Sequence, residues 1–407
     1  MQRTADPDAL GFDADRLARI DTRFARWVDE GLLAGWQIAV SRRGECVHAA
    51  TYGDRDREAG LPVEADTLWR IYSMTKPVTS VAAMRLWEQG AFELTDEVSR
   101  WIPSFADVRV YDRGSAAKPF LVPAVEPVRV WHLLSHTSGL TYGFLGTSVV
   151  DAVYRSNGYE WGAPRGVDLA AACDAWAAMP LLFQPGSAWG YSVATDVLGR
   201  LVELWSGQPL DVHLAEHVLG PLGMHDTTFS VEPERADRLA ALYTPGPDGR
   251  ATRLDAFGAA ALRTPTLLSG GGGLVSTAAD YDRFARMLLG RGALDGTRLL
   301  GSRTVDLMTR NHLPGGLDLG VHSTGGFAET SFDGVGFGLG FATVVDTGPA
   351  KTHVSRGEFF WGGAASTAFW VDPAEEVTAL LFTQLLPSST HPLRPQLRQL
   401  VYSALVD

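Results

Sequence analysis

The chain has 407 residues, 45% of them hydrophobic, and a formal net charge of −12. That length supports a large buried core, with roughly two or three domains or one fold carrying insertions. The acidic balance argues against a nucleic-acid partner, because phosphate binding needs clustered Lys and Arg. No run reaches the roughly 18 apolar residues of a membrane span.

The N-terminal run from Met1 to Leu17 is charged and lacks the apolar core of a signal peptide, so a cytoplasmic location is expected. Helix-spaced apolar positions Leu17, Ile20, Phe24, Trp27 and Val28 predict a helix over 14–31. Two strand-like runs follow, Gln37–Ser41 and Cys46–Thr51, with Arg43-Gly44 reading as the hairpin turn between them. A helix is expected from Thr75 to Gln89, ending at Gly90. From 91 to about 225 the pattern is mostly helical, broken by Pro- and Gly-rich loops at 112–127 and 156–167, with helices over 168–179 and 193–206. The glycine run Gly270–Gly273 reads as a strand or turn at close packing, since no Lys-Ser/Thr pair follows it to build a phosphate loop. Ser276-Thr277-Ala278-Ala279-Asp280 then resembles a capping signal for a helix over 279–290. Residues 313–336 are expected to be loop, with strands at 338–346, 357–361, 366–372 and 377–384 and a last helix over 392–405. Strands at both ends and helices between suggest an α+β fold, its sheet built from both ends of the chain around a helical insertion.

Cys46 and Cys173 form neither a zinc pattern nor a disulfide framework and read as inert buried thiols. Lysine occurs only at Lys76, Lys118 and Lys351. Two of the three complete an S-x-x-K sequence. Ser73-Met74-Thr75-Lys76 opens an apolar helix, where i and i+3 share a face and Ser73 Oγ can meet Lys76 Nζ. A serine hydroxyl needs a base to act as nucleophile, and a helix N-terminus aims N–H groups at a reacting carbonyl. Lys76 serves as that base only when neutral; otherwise its charge stabilises another base. Pro77 is tolerable in the first turn. Ser115-Ala116-Ala117-Lys118 has no helix to align its ends and is rejected.

Around Ser73 the run Ile71-Tyr72-Ser73-Met74-Thr75-Lys76-Pro77-Val78-Thr79-Ser80, followed by Leu94-Thr95-Asp96-Glu97-Val98, resembles the superfamily of class C β-lactamases and family VIII carboxylesterases. Three further segments match in order: Trp131–Leu140 around His136-Thr137-Ser138-Gly139, Phe183–Ser192, and Pro221–Thr227. The resemblance covers nearly the whole chain. It implies a β-lactamase/transpeptidase-like fold, an antiparallel sheet flanked by helices plus a mostly helical domain. The expected division is 1–80 and 226–407 for the sheet domain and 81–225 for the helical domain, with the active site between them. It also places Tyr191 at the catalytic tyrosine, where Tyr191 and Lys76 share proton transfer with Ser73 in an order the sequence leaves open. For the family's Lys-Thr-Gly strand two candidates compete, Lys351-Thr352-His353 and Trp361-Gly362-Gly363. The second resembles the esterase W-G-G, so Lys351 reads as a solvated turn residue, and the pattern puts the N–H of Ala364 with that of Ser73 in the oxyanion hole.

Two departures favour an esterase over a lactamase. Tyr191-Ser192-Val193 lacks the amide side chain of Y-x-N, and Trp361 replaces a lysine. A site without that cation binds a carboxylate poorly, and an aromatic there favours an uncharged substrate. Loops 141–167 and 313–336 are expected to wall the pocket, with Tyr142 and Phe144 as candidate substrate contacts. His213-Leu214-Ala215-Glu216-His217 matches a zinc-helix pattern, yet it leads into the Pro221–Thr227 segment that the resemblance already explains. His136 is expected to have a structural, hydrogen-bonding role. The resulting expectation is a serine carboxylesterase acting on short-chain or small uncharged esters through a Ser73 acyl-enzyme, with no metal or organic cofactor. Its partner is a small ester, with neither nucleic acid nor membrane. Alternatives are an acyltransferase, a weak β-lactamase or D-peptidase, and a silent penicillin-binding-like sensor.

Overall fold

A computed structural model describes residues 1–322 and 332–407. Among the described residues, eight strands form one antiparallel sheet in the order Val335–Phe337, Ala342–Val344, Phe359–Gly362, Ala368–Asp372, Val377–Phe382, Gly35–Arg42, Glu45–Asp56 and Leu61–Pro62. The two ends of the chain therefore meet in mid-sheet, where Gln37 pairs with Phe382 and Arg42 with Val377. Arg43 and Gly44 both take positive φ (52° and 80°), the two-residue turn whose twist matches its flanking strands.

All eight residues of Gly35–Arg42 are buried because both faces of the sheet are covered. Strand alternation sorts the side chains. Ile38, Val40, Trp370, Ala379 and Leu381 pack with Phe24, Leu397 and Val401 of the helices Arg19–Asp29 and Leu393–Ser403. Ala39, Phe369, Val371, Leu380 and Phe382 face the opposite core, with Met74, Val78, Tyr281 and Phe284. Thr75–Glu88 runs through that second core with 11 of its residues buried, which is why it is apolar on every side rather than striped. Ala194–Ser206 packs against it.

Three expectations are corrected. The loop at 112–127 is largely a hairpin, Arg109–Ser115 against Lys118–Pro123. Its exposed polar alternation and its glycine hid the pairing, and Gly114 takes φ 105° at the turn. The stretch 313–336 holds a helical turn at Leu319–His322 and the edge strand Val335–Phe337, while residues 323–331 lie outside the described residues. The strand expected over 338–346 shrinks to Ala342–Val344, because Gly338–Phe341 is the turn joining it to Val335–Phe337. Gly338 is pressed against the Met308 carbonyl, and Gly340 takes φ 104°.

Candidate active site

Ser73 lies in a single 3₁₀ turn, Tyr72–Met74, that runs directly into the helix Thr75–Glu88. Two anchors hold this turn. The short strand Trp69–Arg70 pairs with Val275–Ser276, and the Tyr281 hydroxyl donates to the Met74 carbonyl at 2.8 Å. Tyr72 takes φ 43°, a strained value for a bulky residue, immediately before the serine. Pro77 falls in the first helical turn, where its missing N–H leaves no bond unmade.

One turn on, Lys76 is only 1% exposed. Its Nζ lies 2.7 Å from the Gly271 carbonyl, 3.0 Å from the Tyr142 hydroxyl and 3.4 Å from Ser73 Oγ. Tyr191 arrives from the segment before the helix Ala194–Ser206 and places its hydroxyl 2.5 Å from Ser73 Oγ. Its ring lies 4.5 Å from Lys76 Nζ and packs against His136, Trp361 and Tyr142. Ser73, Lys76 and Tyr191 thus converge from stretches up to 118 residues apart.

Trp361 stands on the strand Phe359–Gly362, buried beside Tyr191. Gly362 and Gly363 are required by close approach. A Cβ on Gly362 would strike the Arg394 guanidinium, and one on Gly363 would sit 2.3 Å from the Ile71 carbonyl. Arg394 holds this corner by donating to the Gly363 and Thr367 carbonyls. The backbone of Gly363, with half-exposed Ala364 next, is thereby pressed onto the segment that leads into Ser73. Lys351 is exposed, outside any strand or helix, with φ 53°.

Tyr142 is buried against Lys76, and Phe144 stacks on it at 4.9 Å. Phe144 stacks in turn on exposed Trp161, making an aromatic track from the lysine to solvent. His136 is fully enclosed and bonded to Ser192 Oγ at 3.1 Å; burial first, then the Lys76 charge, hold it well below the usual imidazole range. Val193 fills the place of the Y-x-N amide and is fully buried.

Two contributors escaped the sequence reading. Asp196, 3% exposed, accepts from Ser269 Oγ at 2.5 Å and the Gly271 N–H at 3.1 Å. Burial raises its carboxyl, opposed by the Lys76 charge and these donors. Gly271 is the second: a Cβ there would sit 2.5 Å from Asp196 Oδ2 and 3.0 Å from the Tyr142 hydroxyl. The glycine run was the visible signal for Gly271. Asp196 carries no signal in the sequence beyond that of an acid in a helix's first turn.

The rejected signals fall elsewhere. Ser115 and Lys118 face each other across the hairpin turn, both exposed. His213 is buried, His217 is not, and burial pushes His213 down to about 4. Among the described residues no helix is long and apolar enough to cross a membrane.

Residues 20–403 match the Beta-lactamase family. The chain is 39% identical to Protein Rv1367c of Mycobacterium tuberculosis, covering 88% of each. It is 35% identical to Esterase EstB of Burkholderia gladioli, covering 98% of each. Among solved structures it resembles EstCE1, described as a hydrolase with promiscuous acyltransferase activity. That match has a TM-score of 0.80 and 29% identity, covering 96% of this chain and 99% of that one.

Proposed function

The chain belongs to the beta-lactamase family, and on that premise we propose that it is a serine carboxylesterase whose nucleophile is Ser73. The observation that carries this reading is the 2.5 Å approach of the Tyr191 hydroxyl to Ser73 Oγ with Lys76 alongside. Similarity to Esterase EstB along almost the whole chain supports it.

Ser73 Oγ forms a bond to the ester carbonyl carbon and gives its proton to the Tyr191–Lys76 pair. The carbonyl π electrons move to oxygen, and the backbone N–H groups of Ser73 and Ala364 receive that oxyanion. Collapse breaks the bond to the alcohol oxygen, which takes the proton from the pair. Water then adds to the acyl-enzyme through the same groups and releases the acid, and Ser73 recovers its proton. No metal or organic cofactor takes part in this scheme.

Small uncharged esters suit the site. Trp361 stands where the lactamases of this family carry a lysine, and with Tyr142 and Phe144 it supplies aromatic surface in place of a carboxylate partner. A cytoplasmic location belongs to the same reading, supported by two buried cysteines that remain free. Ser73→Ala is expected to abolish hydrolysis of a short-chain aryl ester, and Ser115→Ala to leave it nearly unchanged. The reverse result overturns the assignment. The description of EstCE1 favours one second reading, acyl transfer to an alcohol. Product analysis with and without added alcohol separates the two.

A further inference from the structure

Beyond Tyr142 and Phe144 the aromatic surface continues to rings that the proposed chemistry does not use. Trp161 lies 5.1 Å from Phe144 with the two rings nearly parallel, at 13°. On its other contact it meets Phe257 at 5.5 Å and 68°. Both outer rings stand in water, Trp161 58% exposed and Phe257 41%. A lone exposed ring needs no explanation, but two in contact, from distant segments, make an apolar patch. Because they cross steeply, they form a corner open to solvent rather than a closed stack. Each wall of that corner is fastened to the site by its own route. The Phe144 N–H donates to the Glu160 carbonyl at 3.0 Å, and the Arg155 guanidinium donates to the Gly143 carbonyl at 2.5 Å. A Cβ on Gly143 would sit 2.8 Å from Glu160 Cα. The backbone next to Trp161 is therefore locked to the turn that carries Tyr142, whose hydroxyl is 3.0 Å from Lys76 Nζ. Phe257 sits in the helical turn Asp255–Gly258. The Gly258 carbonyl accepts from the buried Arg70 guanidinium, and Arg70 ends the short strand that leads into Ser73.

We propose that Trp161 and Phe257 are specificity-determining residues, an outer subsite that receives a flat apolar ring carried several bonds away from the ester carbonyl. Two ring-to-ring steps, of 4.9 and 5.1 Å, separate Tyr142 from Trp161. A ring attached directly to the ester group falls short of the corner, whereas one on a short alkyl chain reaches it. Seated there, the ring lies face to face with the indole and edge-on to Phe257, the two arrangements that aromatic pairs prefer. The substrate class narrows accordingly: small and uncharged at the reacting end, with an aromatic ring at the far end.

The inference rests on the serine-esterase reading and is tested by kcat/KM on two matched pairs of esters. Butyl acetate with ω-phenylbutyl acetate puts the ring on the alcohol side. Ethyl pentanoate with ethyl ω-phenylpentanoate puts it on the acyl side. Wild type is expected to favour the phenyl member of one pair, and that pair names the side. Trp161→Ala should cut the preference about tenfold, through KM rather than kcat, and Phe257→Ala about threefold. Trp161→Phe returns a ring face and should restore most of it. Thermal melting shows whether each variant folds, and Phe257→Ala carries the test should Trp161→Ala fail to. Equal losses on the plain and phenyl members mark rings that only pack their loops and overturn the proposal. So does a wild type with no preference in either pair. Wild-type protein that hydrolyses none of the four esters removes the esterase reading itself, whereas active wild type whose preference neither variant moves removes only the corner.

Discussion

The Tyr191 side chain divides its labour between ring and hydroxyl. The ring is packed among His136, Trp361 and Tyr142, whereas the hydroxyl's contact with Ser73 Oγ belongs to the proposed chemistry. Tyr191→Phe is therefore expected to fold with unchanged melting, to keep KM for the aryl ester, and to lose kcat by about a hundredfold or more. A loss under about tenfold would sink the role given to the phenol. Legibility at this scale followed distance along the chain. Ser73 and Lys76 were readable because three residues on a helix is a local rule. Tyr191 was readable only through the order of motifs. Asp196 had no local signature at all, since an acid in a helix's first turn has an ordinary reason to be there.

Among the elements, the segment 141–148 shows how a loop is made rigid enough to carry a site. Asp151, 1% exposed in the helix Val149–Ser156, accepts from the Thr141 and Thr147 hydroxyls and from the backbone N–H groups of Thr147 and Ser148. Ser148 caps the same helix by accepting from the Asp151 N–H. Tyr142 and Phe144 sit inside this clamp. Asp151→Ala leaves buried donors without acceptors and should cost about 2–3 kcal/mol in urea unfolding. It should also raise KM for the ester. Unfolding indistinguishable from wild type would show the clamp to be idle. The clamp's capping Ser-x-x-Asp pattern is written in the sequence, but the expected 141–167 loop concealed it. The Arg109–Pro123 hairpin was missed for a related reason: its strands lie on the surface, so no buried face imposes an apolar alternation.

The whole molecule is a sheet enclosed between helical layers, and that enclosure sets a pH dependence. Asp282, on the helix Ala278–Leu289, is buried against the sheet and accepts from Ser41 Oγ at 3.1 Å. Burial raises its carboxyl to about 6, with Arg286 opposing. An acid whose folded value is raised holds its proton more tightly when native. The stability it contributes is present below about pH 4 and is lost as pH rises through about 6. Asp282→Asn keeps the acceptor for Ser41 without the buried charge. It should unfold at higher urea than wild type at about pH 8, by about 1–3 kcal/mol, with the gap closing near pH 4. A gap that ignores pH would show that desolvation of this carboxylate is not the cause. By itself the sequence determined the period of the central sheet strands and of the longest helices, the α+β class, the family and the Ser73–Lys76 pair, because periodicity and motif order are carried by residues close together or in fixed sequence. Only the tertiary structure decided that Gly271 and Asp196 close around Lys76, 195 and 120 residues further along. Hydrogen bonds need oxygens placed to within a few tenths of an ångström, and packing among several elements sets that placement, which no single segment encodes.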